Sequence, residues 1–390
     1  MFSLLPDFFR YLLLVFRLTG FPTSQLHNST TQQLNISSPL PVFRTFQIRI
    51  CNLPTQACAI IKLKFTLLLF FSLIANRLLA QENAQVLQAV VQNVYDKAKK
   101  HSLYRKNVDW DILHEKVFGS AIQTGADLEK KVALIFETLG DKHATLLYHG
   151  KRVVYSKPPS SFVPRAALKV APDYASNGFS TKLLEDGYAY IALRSPVKSD
   201  TRNLQSYQDQ LCALNLKNIK GIIVDLRLNE GGSIFPIAAF GQLYGSELVG
   251  YNSNSEGLSG AWKVKDGKFY QNKTLVSTVK NQCKGNDQIK IAVLISQITA
   301  SSGEIMATTF MGRANTIFIG EKTYGLPTLN IEFNLGNGYY LGIAASFIAD
   351  RNGKVYPNYL SPDLEMINGD NFADLNKDVK VKAAMEWFKN

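Results

Sequence analysis

At 390 residues the chain is long enough for two domains, or for one domain with an appendage. Its 46% hydrophobic and 19% charged residues are those of an ordinary globular protein with a sizeable core. The net charge of +12 is uneven: the first 80 residues hold seven Lys/Arg against one acid, leaving 36 bases and 30 acids beyond Ala80, a surplus without basic clusters that excludes nucleic acid as a partner.

Residues 1–61 fit no element of a soluble domain. They carry an apolar run, Tyr11 to Phe16, and a Ser/Thr/Gln/Pro-rich stretch around His27 to Pro41, and read as a doubtful leader upstream of a true start near Lys62. Residues 62–80 have the parts of a secretory signal: Lys62 and Lys64, an apolar stretch from Phe65 to Ala75, and Ala80 before Gln81. That stretch is about half of the roughly 20 residues a membrane-spanning helix needs. The expectation is an exported chain, periplasmic or secreted, with no membrane span once the signal is cut; an uncut anchor is the alternative. Beyond the signal only Cys212 and Cys283 remain, and either a disulfide or two free buried thiols fits them.

Residues 81–145 read as a helical cap. Val86, Val90, Val91 and Val94 recur at helical spacing, as do Leu128, Val132, Ile135 and Leu139, and Asp109 is placed to cap a helix carrying Trp110, Leu113 and Val117. A Pro-, Ser- and Lys-rich connector, 146–183, follows. Residues 184–390 alternate strands with helices, the pattern of an α/β core with a largely parallel sheet. The strands are Gly187 to Leu193 and two continuous apolar runs, Gly221 to Leu226 and Ile289 to Ile295, of the kind buried on both faces. Helical segments are expected at Thr201 to Leu216, Phe235 to Tyr244 and Ser302 to Gly312, and a hairpin over 328–349 turning at Gly336-Asn337-Gly338.

Two strand ends carry candidate chemistry. Asp225-Leu-Arg-Leu-Asn-Glu-Gly231-Gly232 runs from a buried strand into two glycines that let backbone N–H groups approach a ligand, or it is an ordinary strand-to-helix turn. Ser296-Gln-Ile-Thr-Ala-Ser301-Ser302-Gly-Glu304 puts a serine where a helix begins, as a nucleophile or as an N-cap. It lacks the G-x-S-x-G elbow pattern. A serine nucleophile needs a base; of His101, His114, His143 and His149 the first two fall on polar helix faces, and His143, at the junction of the helical and β regions, reads either as a structural residue or as a base brought over the serine. No Cys/His spacing suggests a metal, and no cofactor is expected.

Taken in order, Leu139-Gly-Asp-Lys-His143, Val224-Asp-Leu-Arg-x-Asn-x-Gly-Gly232, Thr299-Ala-Ser-Ser-Gly-Glu304, Gly320-Glu-Lys-Thr-Tyr-Gly325 and Ser361-Pro-Asp363 resemble the tail-specific (C-terminal-processing) and tricorn-core serine peptidases. The resemblance runs from about Asn83 to Val381. It implies a crotonase-like (ClpP-like) α/β core, a spiral of ββα units, preceded by a small helical domain. It also implies Ser301 as nucleophile, with the N–H groups of Ser302 and of Gly231 or Gly232 as an oxyanion hole. The processing branch places a lysine base where this chain reads Gly325-Leu326-Pro327, so the histidine-base tricorn-like branch is the better match, with His143 as general base. That branch has a serine before the histidine and a completing glutamate; here stand Lys142 and, near the glutamate's place, Tyr356 or Asn358. About 43 residues separate His143 from Gly187, too few for a PDZ domain. The reading is an endopeptidase acting on peptides or unfolded proteins; a non-catalytic peptide-binding protein and a crotonase-type acyl-thioester enzyme are the alternatives.

Overall fold

The computed structural model describes residues 83–156, 178–194, 201–280 and 283–390, with isolated positions 72, 74 and 81, all within one compact unit, Phe71–Asn390. The expected leader, the signal apart from positions 72 and 74, and the middle of the connector lie outside the described residues. No helix among the described residues is long and apolar enough to cross a membrane.

Three helices open the described chain: α1 over 83–101, α2 (Trp110–Phe118) and α3 (Gly125–Leu139). Asp109 caps α2 through its carboxylate, which accepts the N–H groups of Asp111 and Ile112. Thr124 and Asp127 close a capping box on α3, and Gly140 ends it in the left-handed conformation. The apolar stripe read from the sequence is the buried one: Leu128, Val132, Ile135 and Leu139 are all inside. This stripe packs on a sheet. β1 (Thr145–Tyr148) and β2 (Lys151–Tyr155) join β13 (Tyr339–Ala349), and Leu146, Val154, Leu341 and Ile343 share one apolar cluster with the helices.

The second sheet holds six strands in the order β15 (Leu364–Glu365), β11 (Thr316–Gly320), β10 (Lys290–Ile295), β5 (Gly221–Asp225), β4 (Tyr188–Leu193), β3 (Phe179–Leu183). All neighbours are parallel except β3–β4. Its central strands are buried on both faces, as their unbroken apolar runs require. Ala189, Ile191 and Leu193 of β4 join the cluster beneath α4 (Thr201–Ala213), while Tyr188, Tyr190 and Ala192 face α6 (Val379–Lys389) through Val381, Ala384 and Phe388. The expected mixed α/β architecture with a small helical N-terminal region is present.

Several elements differ in extent from the sequence expectation. Phe235–Leu243 forms a 3-10 stretch entered through Pro236. The helix after Ser301, α5, covers only Ser302–Thr308; beyond it the N–H groups of Phe310 and Met311 bond the carbonyls three residues back, Ala307 (3.0 Å) and Thr308 (3.0 Å), and the chain leaves the α-helical ladder. A meander, β6 (Leu248–Asn254), β7 (Gly257–Lys265), β8 (Lys268–Gln271) and β9 (Thr274–Thr278), had no counterpart in the sequence reading; it buries Trp262 and Phe269 against the core. α6 was likewise unread. The hairpin of β12 (Thr328–Gly336) and β13 turns at Asn337-Gly338 as expected, both with positive φ. Cys212 and Cys283 form a disulfide with Cα atoms 5.2 Å apart, tying α4 to the approach of β10.

Candidate active site

Three loops leave the carboxyl ends of adjacent parallel strands: 226–232 after β5, 296–301 after β10 and 321–327 after β11. Open α/β sheets bind their ligands in such crevices. Buried hydrogen bonds stitch the loops together. Ser296 Oγ donates to the Arg227 carbonyl (2.6 Å), and Thr299 Oγ1 to that of Leu226 (2.9 Å). The N–H of Ala300 reaches the Asn229 carbonyl (2.9 Å), and that of Tyr324 the Thr299 carbonyl (2.9 Å).

Ser301 stands at the N-cap position of α5 with φ 51° and ψ −118°. A non-glycine residue there carries about 1–3 kcal/mol of backbone strain, which only a surrounding structure that over-determines the turn sustains. The G-x-S-x-G sequence is missing, yet the backbone makes the sharp strand-to-helix turn that such an elbow makes. Gly231 lies against it: a Cβ on Gly231 would come within 2.8 Å of Ser301 Cβ, at a φ of +106° that side chains avoid. The two glycines are not equivalent. Gly231 commits its N–H to Asn229 Oδ1 (3.0 Å), and Gly232 is the one that lines the cavity with Ser301.

That cavity, of about 390 Å³, also takes in His143, Lys142, Arg152, Glu230, Leu326 and Asn330. Three contacts fix His143. Its N–H donates to Asp141 Oδ1 (2.9 Å), its carbonyl accepts from Asn330 Nδ2 (3.0 Å), and its ring Nδ1 meets Thr328 Oγ1 at 2.7 Å. Asp141 is itself held by the Ala344 N–H of β13 (2.9 Å). Burial lowers the imidazole to about 4; the Arg152 charge adds to the effect and a hydrogen bond to the Thr328 backbone opposes it. The ring is therefore neutral at neutral pH. The other described histidines stand elsewhere: His101 packs on Phe333, His114 on Phe118, and His149 on Tyr148.

Thr328, not Tyr356 or Asn358, meets the imidazole. The Tyr356 hydroxyl donates to Asp350 Oδ2 (2.8 Å). Lys322 lies away from the serine, over the Tyr359 ring at 5.1 Å and lining a separate cavity. The charged part of the first motif is structural. Fully buried Arg227 donates to Asp225 (2.6 Å), Asp370 (2.6 Å) and Asp378 (2.8 Å), so it anchors the segment leading into α6 rather than a ligand. Glu304, also fully buried, collects hydrogen bonds from Ser301, Thr323, Gly325 and Leu326. Sequence reasoning passed over Thr328 and gave Glu304 no role of its own. Only the apolar surroundings of Glu304 in the sequence hinted at its burial; for Thr328 no local signal exists.

Residues 187–366 match peptidase family S41, a stretch that holds Gly231, Gly232, Ser301 and Ser302 and leaves His143 outside. The chain is 30% identical over 180 residues to a nisin-resistance protein of Lactococcus lactis subsp. lactis; the match takes in 46% of this chain and spans about half, 52%, of that relative. Among solved structures it is similar to a lipoprotein from Streptococcus agalactiae (TM-score 0.55, 20% identity, 78% of this chain and 96% of the other). It is similar also to a putative peptidase from Parabacteroides merdae ATCC 43184 (0.52, 17%, 78% and 97%). A third likeness is to a photosystem II D1 C-terminal processing protease (0.51, 13%, 75% and 96%). At such identities these likenesses speak for the fold, the α/β architecture of the C-terminal processing proteases.

Proposed function

We propose that the chain is an exported serine endopeptidase cleaving peptides or unfolded proteins, with Ser301 as nucleophile and His143 as general base. The observation that carries the reading is a serine held in a strained turn, in one cavity with a histidine that burial keeps neutral. In the tautomer this mechanism uses, Nδ1–H donates to the Thr328 hydroxyl, and Nε2 keeps the lone pair that takes the Ser301 proton and returns it to the leaving amine. The N–H groups of Gly232 and Ser302 are assigned to the oxyanion; losing one such donor costs roughly 3–4 kcal/mol of transition-state stabilisation. The S41 match supports the peptidase class, and the lipoprotein likeness accords with export. Arrangement around a histidine supports the tricorn-like variant of the site.

Fluorophosphonate labelling of the full chain tests this. Wild-type labelling that Ser301→Ala and His143→Ala both abolish is the expected result. Labelling that survives His143→Ala removes the base assignment. No labelling of folded wild type favours the non-catalytic peptide-binding reading, for which the neutral Thr328 hydroxyl beside His143, in place of a carboxylate, is the supporting observation.

A further inference from the structure

Glu304 lies three residues after Ser301 and has no exposed surface. Its carboxylate collects four hydrogen bonds, none from a cation. Oε2 accepts from the N–H groups of Ser301 (2.9 Å) and Leu326 (2.8 Å). Oε1 accepts from Thr323 Oγ1 (2.6 Å) and the Gly325 N–H (3.0 Å). These donors sit on two different loops, one ending at the nucleophile turn and one leading to β12. Two residues past Leu326, the second loop delivers Thr328, whose N–H donates to the Leu326 carbonyl (2.8 Å) and whose hydroxyl meets His143. One buried side chain thus stands between the turn that shapes Ser301 and the loop that orients its base.

We infer that Glu304 is a positioning residue: its ionised carboxylate latches the Ser301 turn to the loop that orients His143, and protonation weakens the latch. The inference rests on the serine-peptidase reading above. Donor counting carries it. All four partners donate, and a carboxylate accepts all four. A carboxylic acid brings a fifth hydrogen, and among the four partners only the Thr323 hydroxyl has a lone pair to take it. The one group able to turn, Thr323 Oγ1, already accepts the Leu360 N–H (2.8 Å) and would have to give up its own donation. Protonation therefore weakens the latch: it turns the Thr323 bond around and takes the charge assistance from the Ser301, Gly325 and Leu326 donors. Burial raises the Glu304 carboxyl to about 7, against the pull of the hydrogen bonds from Thr323, Gly325, Leu326 and Ser301. Titratable side chains on the flanking elements are Glu321, Lys322 and Tyr324 of the loop after β11, Glu230 of the glycine turn, and Lys142 and His143 beside the cavity. The groups that touch the carboxylate are all uncharged.

The test is the rate of fluorophosphonate labelling of the full chain from pH 4 to 9, with Ser301→Ala as control. Wild type should climb with a midpoint near 7. Glu304→Gln should label at least tenfold more slowly at pH 8, with that midpoint gone and circular dichroism unchanged. Thr323→Val, which takes one donor from the anion, should move the midpoint upward by half a unit or more. It carries the test alone if Glu304→Gln fails to fold. Wild-type labelling by Glu304→Gln, a midpoint that persists in it, or an unmoved midpoint in Thr323→Val would each overturn the latch. Labelling that survives Ser301→Ala overturns the peptidase reading itself, a result separate from all of these.

Discussion

Asp225 ends β5 and Glu304 lies in α5, the helix that follows neighbouring β10; both are buried, but their surroundings compensate them differently. Asp225 faces the Arg227 guanidinium at 2.6 Å and the Tyr190 hydroxyl at 2.6 Å. Burial pushes its carboxyl up, the attraction and hydrogen bonds of Arg227 outweigh that push, and it ends below its ordinary range. Glu304 faces neutral donors alone, and burial wins, leaving it near 7. A full opposite charge holds a carboxylate ionised through the physiological range; four dipoles leave it close to titration. The first arrangement suits a permanent scaffold and the second a group whose charge changes.

The strongest way to break the comparison is to remove the cation. Arg227→Ala leaves Asp225 and Asp378 buried without their partner and should cost about 3–5 kcal/mol of stability, read by chemical denaturation. Adding Asp225→Asn and Asp378→Asn should recover much of that loss, because the destabilisation comes from stranded charge. A control sharpens the point. Reducing the Cys212–Cys283 disulfide, which closes a sequence separation of 71, should cost about 2–4 kcal/mol while leaving the pH dependence of stability unchanged.

The smallest effect is the most specific. Glu304 has a raised carboxyl, so its contribution is full below the unfolded value near 4.5 and is lost as pH rises through about 7. His143 has a lowered imidazole, so its contribution is full above about 6.5 and is lost as pH falls toward about 4. The two oppose each other across the same interval, and the wild type should show a shallow profile there. Glu304→Gln removes one of them, and stability should then fall on acidification by about 1–3 kcal/mol, measured by denaturation at pH 7 and pH 4.5.

Much of this was legible in the sequence, for identifiable reasons. The runs at Ile222 and Ile291 are long, apolar and flanked by turns, so their burial on two faces follows from composition alone. The helices around Leu113 and Leu128 announce themselves by spacing and by Asp109 and Thr124. Ordered motifs singled out Ser301, Gly232 and His143 as candidates, and the structure brings them around one cavity. What was missed depends on distant chain. Thr328 matters only because β12 lies beside His143, 185 residues away in sequence. Arg227 reads as a charge beside glycines until Asp378 reaches it, 151 residues later. The meander of β6–β9 shifts register between β6 and β7 and again between β8 and β9, too irregular for a clean alternation. The disulfide turned on a Cα separation that no sequence contains.

β13 also sets a clock. β1 pairs with it, Thr145 opposite Gly342, and the Asp141 carboxylate that holds His143 is fixed by the Ala344 N–H, 203 residues downstream. A polypeptide that emerges from its N-terminus carries His143 out early and Ser301 much later. Even then the imidazole has no seat until the hairpin has followed. The seat of His143 is thus closed by segments about two hundred residues apart, and a polypeptide that stops short of β13 lacks both the strand that pairs with Thr145 and the N–H that holds Asp141.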